Sequence, residues 1–166
     1  MQVRMITLRC AVLALLALPA NALGQAMIVE LHEVSSEAAR RMVDACVAFG
    51  AEAGDALAVA VVDPAGNLLD FHARQGASGA AILTARLKAE TAARWRRSTQ
   101  ELSDRVDNNI NRAPQWIGDF PRQGGLPILR NGEIIGAIGV GGAGDDVGCG
   151  RAAVQAVFGD TVQTER

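Results

Sequence analysis

The chain predicts an α+β domain, an antiparallel sheet built from two β-hairpins with helices packed on it. Three observations carry this. Two strand pairs are joined by turn-forming residues, Pro64-Ala65-Gly66-Asn67 in one and Asn131-Gly132 in the other. Helical periodicity occupies the stretches before, between and after them. The resulting order, helix, hairpin, helices, hairpin, helix, keeps strands adjacent in sequence and so favours antiparallel pairing. At 166 residues the length suits one core of ordinary size.

The first helix begins after a serine pair, Ser35-Ser36, able to cap it, with Glu37 at its positive end. Ala39, Met42, Val43, Cys46, Phe49 and Ala53 recur at helical spacing, and Gly54 ends the segment. LAVAVVD, Leu57 to Asp63, is a continuous apolar run, as in a strand covered on both faces. LLDFHAR then alternates, placing Leu69, Phe71 and Ala73 on one side and Asp70, His72 and Arg74 on the other. A long helix is expected from about Ser78 to Arg97. Its stripe of Ala81, Ala85, Ala89 and Ala92 permits close approach to a sheet or helix, and a second stripe holds Thr84, Lys88, Thr91 and Trp95. TQELSDRVDNN reads as a further helix capped by Ser98 or Thr99. Asn111 to Gly124 lacks a period and reads as a loop carrying Trp116 and Phe120. GGLPILR and EIIGAIGV form the second hairpin, with Pro127 where no ladder bond is donated. A last helix runs from Asp145 to about Phe158.

Residues 1–22 have the layout of a secretory signal peptide: Arg4 and Arg9, the apolar block CAVLALLAL, and an exit at Ala20-Asn21-Ala22. The block is too short to span a bilayer. The expected organisation is thus a signal peptide at 1–22, an N-terminal segment at 23–34, one domain at 35–160 and a tail at 161–166. The expected location is periplasmic or secreted, with no membrane span after signal removal. From Leu23 onward fourteen basic residues face eighteen acidic ones, a balance that disfavours nucleic acid as partner. Cys46 and Cys149 remain in this part. They either pair, as an oxidising compartment allows, or act as two buried thiols.

GVGGAG, Gly139 to Gly144, spells a dinucleotide-binding turn between a strand and a helix. Such a turn belongs to a βαβ unit, whereas here the preceding strand is the second arm of a hairpin. Only about 22 residues follow, enough for one helix and a tail. Asp145 and Asp146 suit a helix N-terminus but repel phosphate. No nucleotide is expected; the glycines instead admit a helix, a neighbouring subunit or a flat ligand close to the backbone.

Three separated stretches, AVAVVDPAGNLLDF, LKAETAARWRRSTQEL and GGLPILRNGEIIGAIGVGGAGDDV, resemble the GlcG/HbpS-type haem-binding family in the right order. This family, also called the haem-degrading domain, occurs too as the C-terminal domain of some corrinoid adenosyltransferases. The resemblance covers about Ser35 to Phe158. It implies a profilin-like fold, frequent homo-oligomers, and haem or a related tetrapyrrole as ligand in several members. One departure stands out: the family has Ser-Gly where this chain has Gly141-Gly142, so a hydroxyl is missing.

Candidate site residues follow. Lys88, the sole lysine, sits at the family's motif lysine. It can bind a haem propionate, act in amine chemistry when desolvated, or pair with Glu90, Asp70 or another subunit's carboxylate. Thr91, one turn on, can share that partner or bond back to its own backbone. A haem iron would take His72 or His32, the only histidines. Two histidines without a cluster make a structural zinc site an unfavoured reading. Gly124, Gly125, Gly141 and Gly142 are expected to line the ligand cleft. Arg94, Arg96 and Arg97 form a basic knot that either favours the helix end or meets acidic ligand groups. The expectation is an exported tetrapyrrole-binding protein. Its alternative is an enzyme on a small oxidised or aromatic metabolite, with Lys88 and Asp70 or His72 as acid–base groups.

Overall fold

The computed structural model describes residues 30–108 and 118–165. The predicted signal peptide and Trp116 lie outside them. All elements belong to the compact unit His32–Arg166. In chain order they are α1 (Ser36–Ala53), β1 (Ala58–Val62), β2 (Leu68–Ala73), α2 (Gly79–Trp95), α3 (Thr99–Asp107), β3 (Gly125–Arg130), β4 (Glu133–Gly141) and α4 (Asp146–Phe158), then a short 3₁₀ turn, Gly159–Thr161. The caps follow the local chemistry. Ser35, Ser78, Ser98 and Asp145 each accept an amide of the first turn of α1, α2, α3 and α4, and Gly54 closes α1 in the left-handed conformation.

The four strands form one antiparallel sheet in the order β2-β1-β4-β3, so the two hairpins meet along β1 and β4. The sheet is covered on both faces. On one, α1 and α4 pack with Val59, Val61, Leu126, Ile128, Ile138 and Val140. On the other, Ala89, Ala92 and Ala93 of α2 meet Ala60, Val62 and Ala137. β1 is buried at every position, which explains its unbroken apolar run.

The expected alternation in β2 is not observed. Leu69 packs in the α1–α4 layer while Phe71 packs under α2. The register runs Val61 to Asp70 and then Val62 to Leu68, leaving Leu69 as the extra residue of a bulge that turns its side chain to the opposite face. A second bulge does the same for Ile135 opposite Ile128 and Leu129. The folded unit also reaches past both predicted domain ends. Val34 is buried and donates its amide to Ile135 at 2.8 Å, and Gln163 exchanges two 2.8 Å bonds with Leu129 at the outer edge of β3. That bridge partly covers an otherwise open strand edge.

Cys46 of α1 and Cys149 of α4 form a disulfide with Cα atoms 5.1 Å apart, settling the choice the sequence left open. It closes a loop spanning 103 residues, for which the chain-entropy model gives about 4–5 kcal/mol of stabilisation.

The glycines of β4 explain how close α2 lies. A Cβ on Gly139 would overlap the Ala85 carbonyl and the Ala89 amide, and one on Gly141 would stand 2.6 Å from the Ala81 oxygen and 2.7 Å from Thr84 Oγ1. The hydroxyl missing at Gly141 therefore has no room in this packing. Gly139→Ala should destabilise the fold by about 2–3 kcal/mol in urea unfolding, since overpacking here meets backbone. Gly79→Ala, with nothing within 4 Å of the new methyl, should change it by less than about 1 kcal/mol.

At the β1–β2 turn Asp63 accepts the Ala65 and Asn67 amides at 2.8 and 2.9 Å and the Asn67 side-chain amide at 2.8 Å. Burial alone would push its carboxyl up, but the bonds from Asn67, Ala65 and Gly66 outweigh it and hold the group below its ordinary value. Asp63 thus contributes stability that is complete above about pH 4 and disappears as pH falls through its lower folded value. Asp63→Asn should flatten that part of the acid limb of a stability–pH profile.

Candidate functional site

Lys88 and the glycines singled out in the sequence gather at the end of the sheet where β4 turns into α4. Lys88 reaches under this corner from α2 and is 5% exposed. Its Nζ donates to the Val140 carbonyl at 2.8 Å and to Asp146 Oδ2 at 2.6 Å. The ion pair therefore forms with Asp146, not with Glu90 or Asp70, and joins positions 58 residues apart. Asp146 in turn accepts the Ala143 amide at 2.9 Å. A buried ammonium is tolerable only when paired and bonded in this way.

Gly124 and Gly125 enclose the same lysine. Gly124 has φ 111°, and a Cβ there would meet Asp146 Cβ at 2.7 Å and Lys88 Nζ at 3.1 Å. A methyl at Gly125 would press on the Lys88 carbonyl and, at 2.6 Å, on Thr99 Cγ2. Gly142, at φ 84°, faces Ala81. All four candidate glycines thus admit groups of this chain itself. Thr99 closes the region by accepting the Gly125 amide at 2.8 Å.

The GVGGAG turn is not part of a βαβ unit, because β4 runs antiparallel to both neighbours. Two amides of the turn that would face an anion are taken by carboxylates: Gly144 donates to Asp55 at 2.9 Å and Ala143 to Asp146. The close neighbour of the glycines is α2, one of the occupants the sequence suggested.

Thr91, predicted to share a partner with Lys88 or to bond back along its helix, does neither. Its buried hydroxyl accepts the Phe120 amide at 2.9 Å and pins the segment leading to β3. Two of the three arginines of the basic knot, Arg94 and Arg97, are spent on similar anchoring. Arg94 pairs with Asp119, which also accepts Trp95 Nε1 at 2.8 Å, and Arg97 pairs with Glu101 at 2.6 Å.

The histidines belong to neither β4 nor α2: His32 lies in the segment before α1 and His72 in β2. His32 Nδ1 is 3.5 Å from Glu133 Oε2, beside a cavity of about 200 Å³ lined also by Arg130, Asn131 and Ile135. His72 is exposed on the edge strand β2, opposite Val59 and therefore on the α1 side. Among the described residues its imidazole has no hydrogen-bond or ion-pair partner. Asp70, two positions earlier, accepts the Phe71 amide at 2.8 Å. Among the described residues no group of three or more His, Cys, Asp or Glu could hold a metal ion, and no helix is long and apolar enough to cross a membrane.

Sequence reasoning read Asp146 as a helix-end charge and missed its bond to Lys88. Asp55, Thr99 and Asp119 were missed too, since nothing local in the chain signals contacts made 24 to 89 positions away.

A four-stranded antiparallel sheet held between two helices on one face and a glycine-seated helix on the other defines an α+β domain. A family model described as "Haem degrading protein HbpS-like" matches residues 34–155. The chain belongs to this family. Protein GlcG of Escherichia coli K12 is 32% identical over 105 residues, 61% of this chain and 78% of that protein. The crystal structure of HbpS superposes with a TM-score of 0.74 at 29% identity, covering 80% of this chain and 95% of the other. The PduOC:heme complex gives a TM-score of 0.72 at 23% identity, covering 81% and 99%, a likeness of fold.

Replacing one partner of the buried pair should be costly and asymmetric. Asp146→Asn leaves the ammonium buried and should lose about 3 kcal/mol in chemical denaturation. Lys88→Met keeps the apolar stem and leaves an aspartate that still accepts an amide, so it should lose clearly less. A double-mutant cycle measures the coupling.

Proposed function

We propose that this chain is an exported binding protein for haem or a related planar tetrapyrrole, serving storage, scavenging or sensing and acting as a homo-oligomer. The observation that carries the reading is the match to the haem-degrading HbpS-like family across residues 34–155. Export is supported by the N-terminal layout of residues 1–22 and by a disulfide suited to an oxidising compartment. Assembly is supported by the apolar side chains that α2 exposes, Leu83 at 59% and Ile82 at 40%.

The residues present fit a haem at one point. Bound haem supplies an iron that takes a neutral imidazole nitrogen. His72 offers an exposed, unengaged ring among the described residues, whereas His32 leans on Glu133. Lys88 and Thr91 do not suit a propionate, because both are buried and bonded internally.

The second reading, an enzyme of this fold, draws on the family's description as haem-degrading. It would rest on His72 and Asp70, since the Lys88 amine is engaged.

Titration with hemin tests the proposal. A sharp Soret band should appear, be lost in His72→Ala and persist in His32→Ala. Absence of any band in the native chain overturns the haem reading, and loss only in His32→Ala moves the iron to the hairpin end of β4. Breakdown of the band in the presence of a reductant, slowed in Asp70→Asn, supports the enzyme.

A further inference from the structure

The disulfide, cited above only in support of export, has surroundings that assign it a place in the making of the fold. Cys46 and Cys149 are both 0% exposed and belong to the core cluster formed by α1, α4 and the sheet. A sulfur so placed offers no line of approach to an attacking thiolate. The bond must therefore form before α4 settles on α1, and it is sealed afterwards.

Helix α4 has particular need of it. Its first two turns read DVGCGR, with Gly148 and Gly150 flanking Cys149, a composition poor in intrinsic helix preference. Gly150 lets α4 sit close, since a Cβ there would stand 3.0 Å from Leu126 Cδ1. The same first turn carries Asp146, the partner of Lys88 on the opposite face of the sheet. Docking of α4 thus joins three things: the sulfur bridge, the covering of Ile138 and Val140, and the neutralisation of a buried ammonium.

We infer that Cys46 and Cys149 are a modification site, a dithiol oxidised during folding by a disulfide-carrying oxidant, and that this oxidation docks α4 and completes the Lys88–Asp146 pair. One cysteine thiolate attacks the oxidant's disulfide and expels one of its sulfurs as thiolate. The second cysteine thiolate then attacks the mixed disulfide, forming the Cys46–Cys149 bond and releasing the other sulfur. Two protons and two electrons leave this chain, and the oxidant departs as a dithiol. The inference is independent of the ligand, so hemin binding neither supports nor weakens it.

Two measurements on the whole chain test it. First, the folded oxidised protein is held in dithiothreitol without denaturant and then treated with a maleimide–polyethylene glycol. No gel shift is expected over hours, while guanidinium should expose both sulfurs at once; rapid labelling of the folded protein overturns the sealed bond. Second, amide hydrogen exchange is compared for the oxidised chain, the chain refolded under reductant, and Cys46→Ala/Cys149→Ala, which keeps small apolar groups in place. Protection across residues 146–158 should fall about a hundredfold in both altered forms, while β1 and β4 stay within about tenfold. Unchanged protection in α4, or equal loss throughout the sheet in the alanine double variant, overturns the assignment of the bond to α4 docking.

Discussion

The seating of α2 on β4 is the contact from which the rest of the structure takes its dimensions. Backbone meets backbone there: alanines from the helix stand over Gly139 and Gly141, with no Cβ between the strand and the helix carbonyls. A helix held this near a sheet forfeits the burial that larger side chains would provide but gains dense packing over a wide area. It also leaves no room for a side chain between Gly139 or Gly141 and the helix. Long side chains of the helix must leave at its flanks, and Lys88 does so at a corner where a carbonyl and a carboxylate await it.

That corner shows how one constraint produces another. Once the Lys88 stem passes beneath Val140, the ammonium lies out of water and its charge must be met. Asp146 is available because Asp145 takes the cap of α4, leaving the next carboxylate free to turn inward. Gly124 and Gly125 then follow from the space the lysine requires, and Thr99 from the amide that the arriving strand presents. The motif lysine and its glycines form one packed strut across the sheet. Of the other candidates, His72 on the edge strand and His32 before α1 are exposed, and Asp70 is half-buried.

The fold was legible because its signals are local. Ser35, Ser78 and Ser98 cap helices by bonding amides three residues away, and the two hairpin turns lie between the strands they join. The alternation in β2 misled because a bulge reverses the facing of one residue without any mark such as glycine or proline. The site was less legible. Lys88 could be picked out by its singularity, and Gly124, Gly125, Gly141 and Gly142 by their density, yet their roles depended on what lay opposite. Thr91 shows the difficulty, since its partner is the Phe120 amide, 29 positions away and invisible to helical spacing.

Periodicity, turn residues and capping chemistry by themselves determined the α+β class, the order of the elements and the exclusion of a crossover after the glycine-rich turn. Each depends on atoms a few bonds or one helical turn apart, so the chain carries it in readable form. Only the tertiary structure decided that Cys46 meets Cys149, that Asp146 is the lysine's partner, and that α2 fills the space above the glycines. Those pairings join residues far apart in the chain, 103 positions for the cysteines and 58 for Lys88 and Asp146. Their energies come from burial, which exists only once the layers have closed.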